Sequence, residues 1–224
     1  MAFIRAYKPS DSEAIAHICR STLPDFLAAS PEATRLAPYL WAYQYTHLCP
    51  SHCFVIEDPS ADPSHPSAPV NKVVGYILGT PSIPDFLSRY GSYVSEVLSK
   101  DVARPEGPMQ EWVTVEGTAN PTCLAQIAYD GEELLRKGRE EMCAEYPATL
   151  HIDILDGWRN RGLGRQLVDT FLGTLPEGTK VHLAAAGTNT RVVPFYERCG
   201  FRVLPGGEKT GNIWMVRDGD GAKN

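Results

Sequence analysis

Between His151 and Leu172 the chain reads HIDILDGWRNRGLGRQLVDTFL. Within it Arg159, Asn160, Arg161, Gly162, Leu163, Gly164 and Arg165 set two glycines and three arginines where an apolar run gives way to an amphipathic one. That spacing describes a strand-to-helix turn, and the chemistry of such a turn is anion binding. The first N–H groups of a helix lack partners inside it, and the helix dipole favours negative charge there. Glycine removes the Cβ atoms that would block a close approach. A triphosphate loop needs Lys followed by Ser or Thr, which GLGRQL lacks. A dinucleotide fingerprint needs a third glycine and an acid ending the next strand, which here ends AAAGTN. A pyrophosphate suits the turn; a helix start with solvated arginines is the competing reading of these residues alone.

Proton chemistry has candidates in the same stretch. His151 and Asp153 lie two apart on a strand and so share a face. They form either a coupled base, with His151 oriented by Asp153, or a polar pair bonded to its surroundings. Glu57, Asp58, Glu111 and Glu116 are further carboxylates that the sequence does not place. HLCPSHC brings His47, Cys49, His52 and Cys53 together, yet structural zinc draws ligand pairs from separated segments and no second pair occurs. No Gly-x-Ser-x-Gly elbow exists for a serine hydrolase. Trp41, Tyr43 and Tyr45 either line an acceptor pocket or pack in the core.

The elements that must position these groups follow from periodicity. Phe3–Ala6 reads as a strand, followed by a helix that Ser10, Asp11 or Ser12 can cap, with Ile15, Ile18 and Cys19 as its buried stripe. The aromatic run 39–49 is helical up to Pro50. Segments 53–58 and 71–80 read as neighbouring strands. Between them PSADPSHPSAPV is expected to be a long mobile loop at about 59–70. Residues 81–122 form a helical insertion broken by Pro and Gly. Residues 131–146 form a charged helix that Gly138 interrupts, with Leu134, Leu135 and Met142 as contacts. Then come a strand at 148–155, a helix at 162–175, a strand at 180–187, a short helix ending at Gly200, and two closing strands. Helix 162–175 puts Leu163, Leu167, Val168, Phe171, Leu172 and Leu175 on one stripe. The order describes one mixed α/β domain over 1–224.

Bulk properties narrow the function. The chain has 224 residues, 43% hydrophobic, with formal net charge -6. That acidity argues against a nucleic-acid-coating surface. No run approaches the ~18 apolar residues of a membrane span, and MAFIRAYKPSDSEA has no secretory core. The expectation is an intracellular protein, in cytoplasm or nucleus, with no membrane or nucleic-acid partner. The six cysteines are expected as buried free thiols.

WRNRGLGRQLV, followed at a distance by TNTRVVPFYERCGF, resembles the paired motifs of the GNAT superfamily of acyl-CoA-dependent N-acyltransferases. FIRAYKPSDSEAIAHI and VVGYILGT resemble that family's first strand and helix and its third strand. The likeness runs nearly end to end and is weakest over 81–122. FVIED, AEYPATLHIDIL and VHLAAAGTNTRVVPFYERCGF look closest to the acetyltransferase-like proteins related to the C-terminal domain of O-GlcNAcase. The resemblance implies a mostly antiparallel mixed sheet, splayed between two central parallel strands, with helices on both faces. It implies that acetyl-CoA enters that splay and leaves as CoA. The backbone of Ile152, Asp153, Ile154 and Leu155 would pair with the pantetheine arm, and Arg159, Asn160, Arg161, Gly162, Leu163, Gly164 and Arg165 would hold the pyrophosphate. Asn189 would bond the pantetheine arm or cap the next helix. A backbone N–H near Leu155 would stabilise the oxyanion. Tyr196 would protonate the leaving thiolate, and Asp153 would be a candidate base. The implied reaction is direct acetyl transfer, in a ternary complex, to an amine on a small molecule or peptide. The rival is an acyl-CoA-binding pseudoenzyme that senses cofactor or contacts a partner. Oligomeric state and acceptor are not written in the sequence.

Overall fold

The computed structural model describes residues 1–62, 64, 69–206 and 211–219. In chain order it contains β1 (Phe3–Ala6), α1 (Ser12–Ser21), α2 (Asp25–Ala28), α3 (Pro31–Trp41), α4 (Tyr43–Leu48), β2 (Phe54–Glu57) and β3 (Val73–Thr80). There follow α5 (Ile83–Ser88), α6 (Tyr90–Tyr93), a π turn at Val94–Leu98, α7 (Ser99–Asp101), α8 (Pro121–Tyr129), α9 (Gly131–Leu135) and α10 (Glu140–Glu145). The rest is β4 (Ala148–Ile154), α11 (Leu163–Leu172), β5 (Val181–Ala186), α12 (Val193–Arg198), β6 (Arg202–Val203) and β7 (Asn212–Arg217).

Seven strands form one sheet in the order β1-β2-β3-β4-β5-β7-β6. Every neighbouring pair is antiparallel except β4 and β5. Those two run parallel and pair only at Ala148↔Val181 and Thr149↔His182. Beyond Thr149 they part, and a cleft opens in the middle of the sheet.

The two faces of the sheet are covered differently. On the α11 face Gly79 is indispensable, because a Cβ there would lie 2.5 Å from the Phe171 ring and from Thr149 O. Of the stripe that the spacing predicts, Leu163, Leu167, Val168 and Phe171 are buried, while Leu172 and Leu175 are half-buried and the helix ends at Leu172. The other face carries α1, whose Ile15 and Ile18 are fully buried. Asp11 receives Arg5 through two hydrogen bonds of 2.7 and 2.9 Å, fixing the entry to α1.

Three expectations need correction. The segment 131–146 is two short helices, because Gly138 takes a left-handed φ of 75° and ends the run; Cys143 is buried there, while Met142 is only half-buried. Helix α8 was not foreseen: Asn120 accepts from the N–H groups of Thr122 and Cys123 and caps it. The insertion 81–122 is helical only to Asp101, and the following loop carries Pro105, Gly107, Pro108 and Gly117. The helical part is locked by tyrosines. Tyr93 donates to Tyr39 O at 2.6 Å, Tyr90 to Ala128 O at 2.9 Å and Tyr129 to Val102 O at 2.6 Å. Of the expected mobile loop at 59–70, residues 63 and 65–68 lie outside the described residues. The six cysteines are free and buried. Among the described residues no helix is long and apolar enough to cross a membrane.

Candidate active site

The turn after β4 has a geometry that suits an anion. Gly157, Asn160 and Gly162 adopt left-handed φ values of 87°, 61° and 78°. Gly162 is the N-cap of α11 and offers no side chain to it. The first closing bond is Gln166 N–H to Gly162 O at 3.3 Å. The N–H groups of Leu163, Gly164 and Arg165 therefore have no intrahelical acceptor and face outward. A Cβ on Gly162 would meet only Gln166 Nε2, at 4.0 Å, so the space above it is open to a ligand. Gly164 serves another purpose: its Cβ would lie 3.2 Å from the Phe195 ring, so it allows α11 to pack on α12.

Two of the three arginines are occupied. Arg159 donates to Ile154 O at 2.8 Å and pairs with Asp156 at 2.8 Å. Arg165 donates to Arg198 O at 2.6 Å and sits 3.4 Å from Asp169. Arg161 is exposed and has no partner among the described residues.

The backbone of β4 sorts by parity. Leu155 N–H donates to Val74 O at 2.9 Å, and Ala148 N–H donates to Lys180 O at 3.2 Å. In an unbroken ladder the direction alternates, so His151, Asp153 and Leu155 turn their backbone to β3, and Ile152 and Ile154 turn theirs to the cleft. This corrects the expectation for Leu155: its N–H is already paired and is no oxyanion donor. Asp153 likewise offers its side chain and not its backbone. The Ile154 carbonyl is taken by Arg159, which leaves the N–H groups of Ile152 and Ile154 and the carbonyl of Ile152 for a ligand.

The side chains of His151 and Asp153 lie on the α1 face. Asp153 Oδ2 accepts from the Tyr76 hydroxyl at 2.7 Å. Oδ1 accepts no hydrogen bond among the described residues. His151 Nε2 is 3.0 Å from Asp153 Oδ2 but misaligned, and this buried nitrogen makes no hydrogen bond. The His151 ring leans on Tyr76 with centroids 5.6 Å apart. Tyr76 is fully buried, and its phenol is pushed far up by burial and then by the Asp153 charge; the Cys19 thiol of α1 lies against it.

Tyr196 lies in α12, buried between Phe195 and Phe201 at centroid distances of 5.0 and 5.8 Å. Burial raises its phenol well above the ordinary range, and the charge of Asp153 adds to that shift. It is therefore a protonated phenol at neutral pH, within electrostatic reach of Asp153. Asn189 heads the 3-10 turn Thr190–Val192 but caps nothing with its side chain and is exposed.

The second arm of the cleft carries groups that sequence reasoning missed. His182 is the last residue of β5 to pair with β4 and is buried. Burial lowers its pKa to about 4, and its Nδ1 lies 2.6 Å from Tyr146 O, so Nδ1 holds the proton of a neutral ring. Arg139 stacks on Trp214 at 4.9 Å, and its charge further disfavours protonation of His182. The only signal was one histidine inside an apolar strand.

The remaining candidates are spent. Glu57 pairs with Arg5 at 2.6 Å. Asp58 binds Trp158 and Ser60. Glu111 and Glu116 are exposed in the loop beyond α7. Tyr45 packs on Phe86 and Tyr43 on Tyr39, with Trp41 half-buried, so this cluster belongs to the core. His52 bonds Thr174 and Cys53 bonds Cys49 O; no metal-binding group of His, Cys, Asp or Glu occurs among the described residues.

A sequence model of the acetyltransferase (GNAT) family matches residues 15–201. The solved structure of SsHAT is 28% identical, covers 97% of this chain and 98% of its own, and superposes with a TM-score of 0.74. PH1933 from Pyrococcus horikoshii OT3 is 12% identical over 97% of this chain and 98% of its own, at 0.55. A structure described as an acetyltransferase is 17% identical over 97% and 100%, at 0.50. The last two share the fold.

Proposed function

Because the chain belongs to the acetyltransferase (GNAT) family, we propose that it transfers an acetyl group from acetyl-CoA directly to an amine within a ternary complex. The observation that carries this reading is the splay of β4 from β5 after Thr149. The open-backed turn at Gly162 and Asp153 both come from β4 and the loop after it, and Tyr196 comes from α12. The turn fits a pyrophosphate: it offers unpaired N–H groups, an exposed arginine and a glycine whose missing Cβ leaves open space. Acetyl-CoA supplies an acyl thioester.

Asp153 has the form a base requires. One carboxylate oxygen is held by Tyr76, and the other has a free lone pair. An acceptor amine with pKa near ~10 arrives as the ammonium, and Asp153 takes its proton directly or through water. One N–H group of the pair Ile152 and Ile154 receives the carbonyl oxygen as it gains charge, and the other is left to the pantetheine arm. Tyr196 gives its proton to the departing thiolate and is restored, directly or through water, by the proton that the acylated nitrogen sheds on becoming an amide. The two proton movements are linked, because the Asp153 charge raises the Tyr196 phenol. Once Asp153 is protonated, that opposition falls and Tyr196 becomes the better acid. Asn189 holds the pantetheine arm, and the loop beyond α7 contributes to acceptor choice. The narrower relationship, to the acetyltransferase-like proteins allied to the C-terminal domain of O-GlcNAcase, is part of the same reading.

The experiment is CoA release from acetyl-CoA over a panel of polyamines, aminoglycosides and lysine peptides, with Tyr196→Phe beside wild type. Turnover with at least one amine, slowed in Tyr196→Phe with CoA affinity retained, supports the reaction. Tight CoA binding without turnover on any amine would leave an acyl-CoA-binding module in place of an enzyme.

A further inference from the structure

From Asp156 to Gly162 the turn has one buried residue, Trp158; all its neighbours are exposed. Trp158 N–H donates to Leu155 O at 3.2 Å, and the indole Nε1 donates to Asp58 Oδ2 at 2.8 Å. Asp58 directly follows β2, a hundred residues earlier, and is 7% exposed. Its other oxygen accepts from Ser60 N–H at 3.1 Å and Ser60 Oγ at 2.7 Å. Its own N–H donates to Lys72 O at 2.9 Å, which fixes it to the base of the β2–β3 connection.

Asp58 makes no salt bridge among the described residues, and the N-terminal ammonium lowers its carboxyl less than the hydrogen bonds from Trp158 and Ser60 do. A carboxylate beneath an anion-binding turn opposes the anion, so attraction does not explain it. Geometry does. The turn has three left-handed residues and no other buried side chain, and besides this contact only the exposed Arg159, bonded to Ile154 O and Asp156, ties it down. The indole bond is also the foremost cause holding the Asp58 carboxyl below its ordinary range.

We propose that Asp58 and Trp158 form a clamp that presets the turn for the pyrophosphate of CoA. Both are positioning residues and touch no ligand. Preorganisation of this kind raises affinity by removing the ordering cost from the binding step. The inference rests on the pyrophosphate reading of the turn and goes beyond it by naming what shapes the turn.

The test is calorimetry on the full chain with CoA and, separately, with pantetheine, which lacks the pyrophosphate. Trp158→Phe keeps a buried ring and loses the donor. It should weaken CoA roughly tenfold, the loss of one hydrogen bond to a charged group, and leave pantetheine unchanged. In turnover the KM for acetyl-CoA should rise while kcat is kept. Asp58→Asn retains an acceptor for the indole and should stay within about twofold of wild type. Ser60→Ala is the mild variant if Trp158→Phe does not fold, and should weaken CoA about two- to threefold. Unchanged CoA affinity in Trp158→Phe, or in Ser60→Ala where that variant stands in, overturns the clamp. Tighter CoA binding in Asp58→Asn overturns it too, since Asp58 would then act through its charge. If wild type binds CoA and pantetheine equally, the pyrophosphate reading fails, and the clamp fails with it.

Discussion

The turn at Gly162 and the polar face at Asp153 both belong to β4 and the loop that follows it, and they are made by opposite means. The turn presents main-chain N–H groups, and two of its three arginines are turned back onto the protein. The polar face works through side chains assembled from three elements: Asp153 from β4, Tyr76 from β3 and Cys19 from α1. A backbone device is signalled locally, by glycine spacing, even where a distant residue such as Asp58 steadies it. A side-chain device needs the whole sheet in register before any part of it exists. The two should therefore fail differently, one in cofactor affinity and the other in rate.

The largest effect is expected at Asp153. Asp153→Asn should lower kcat/KM for the acceptor by roughly 100- to 10,000-fold while CoA affinity by calorimetry stays near wild type. A parallel loss of CoA binding would erase the distinction between the two devices.

Next is His182, on the other arm. Its folded pKa of about 4 lies below the ordinary histidine value of about 6.5. Between those values the unfolded chain binds a proton that the folded chain refuses. Its contribution to stability is complete above the upper value and falls as pH drops toward the lower one, by at most about 3 kcal/mol. His182→Asn keeps a donor for Tyr146 O and does not titrate. Thermal midpoints of this variant should fall less than those of wild type between pH 6.5 and 4.

Gly162→Ala should cost about 1–2 kcal/mol of left-handed strain, or about tenfold in CoA affinity if the turn relaxes to avoid it. Since a Cβ there meets nothing closer than 4.0 Å, kcat should be preserved. A rate defect with unchanged affinity would show that the turn does more than hold the cofactor. The smallest effect is expected at Arg161. Arg161→Ala should weaken CoA only a few-fold, and the difference should shrink in high salt because the side chain is solvent-exposed.

The same contrast explains what could be read in the sequence. Strands β1 to β3 with α1, and the elements from β4 to β7, follow from period and punctuation, and Gly200 ends its helix at φ 85° as expected; α2 and the start of α3 were not foreseen, and the run 39–49 divides at Ala42 between α3 and α4. The glycine turn was legible because a strand-to-helix turn is marked by adjacent residues. The shared face of His151 and Asp153 was legible for the same reason, but Tyr76 as their partner was not, being 77 residues away. Parity decided the fate of Leu155. An alternating ladder sends its N–H to Val74, and the phase of that ladder depends on where β3 docks. Helix α8 was missed because PTCLAQIAY is apolar nearly all round and lacks a periodic stripe. Its Asn120 cap, followed by Pro121, was the available signal. Trp158 and Asp58 carried no mutual signal at all, since a buried carboxylate at a strand end looks like any loop acid.

One feature of the sheet bears on how the cleft comes into being. Strand β5 is joined to β4 at two residue pairs only, and its other edge is zipped along its whole length by β7. Domains are built from the N-terminal side as synthesis proceeds. The wall formed by β1 to β4 can thus assemble while the rest is still being made, whereas the facing wall waits for residues 212–217. Until then β5 presents an open edge, and the nascent protein has half a cleft. Removal of those six residues should expose that edge and yield aggregation instead of a smaller, functional enzyme.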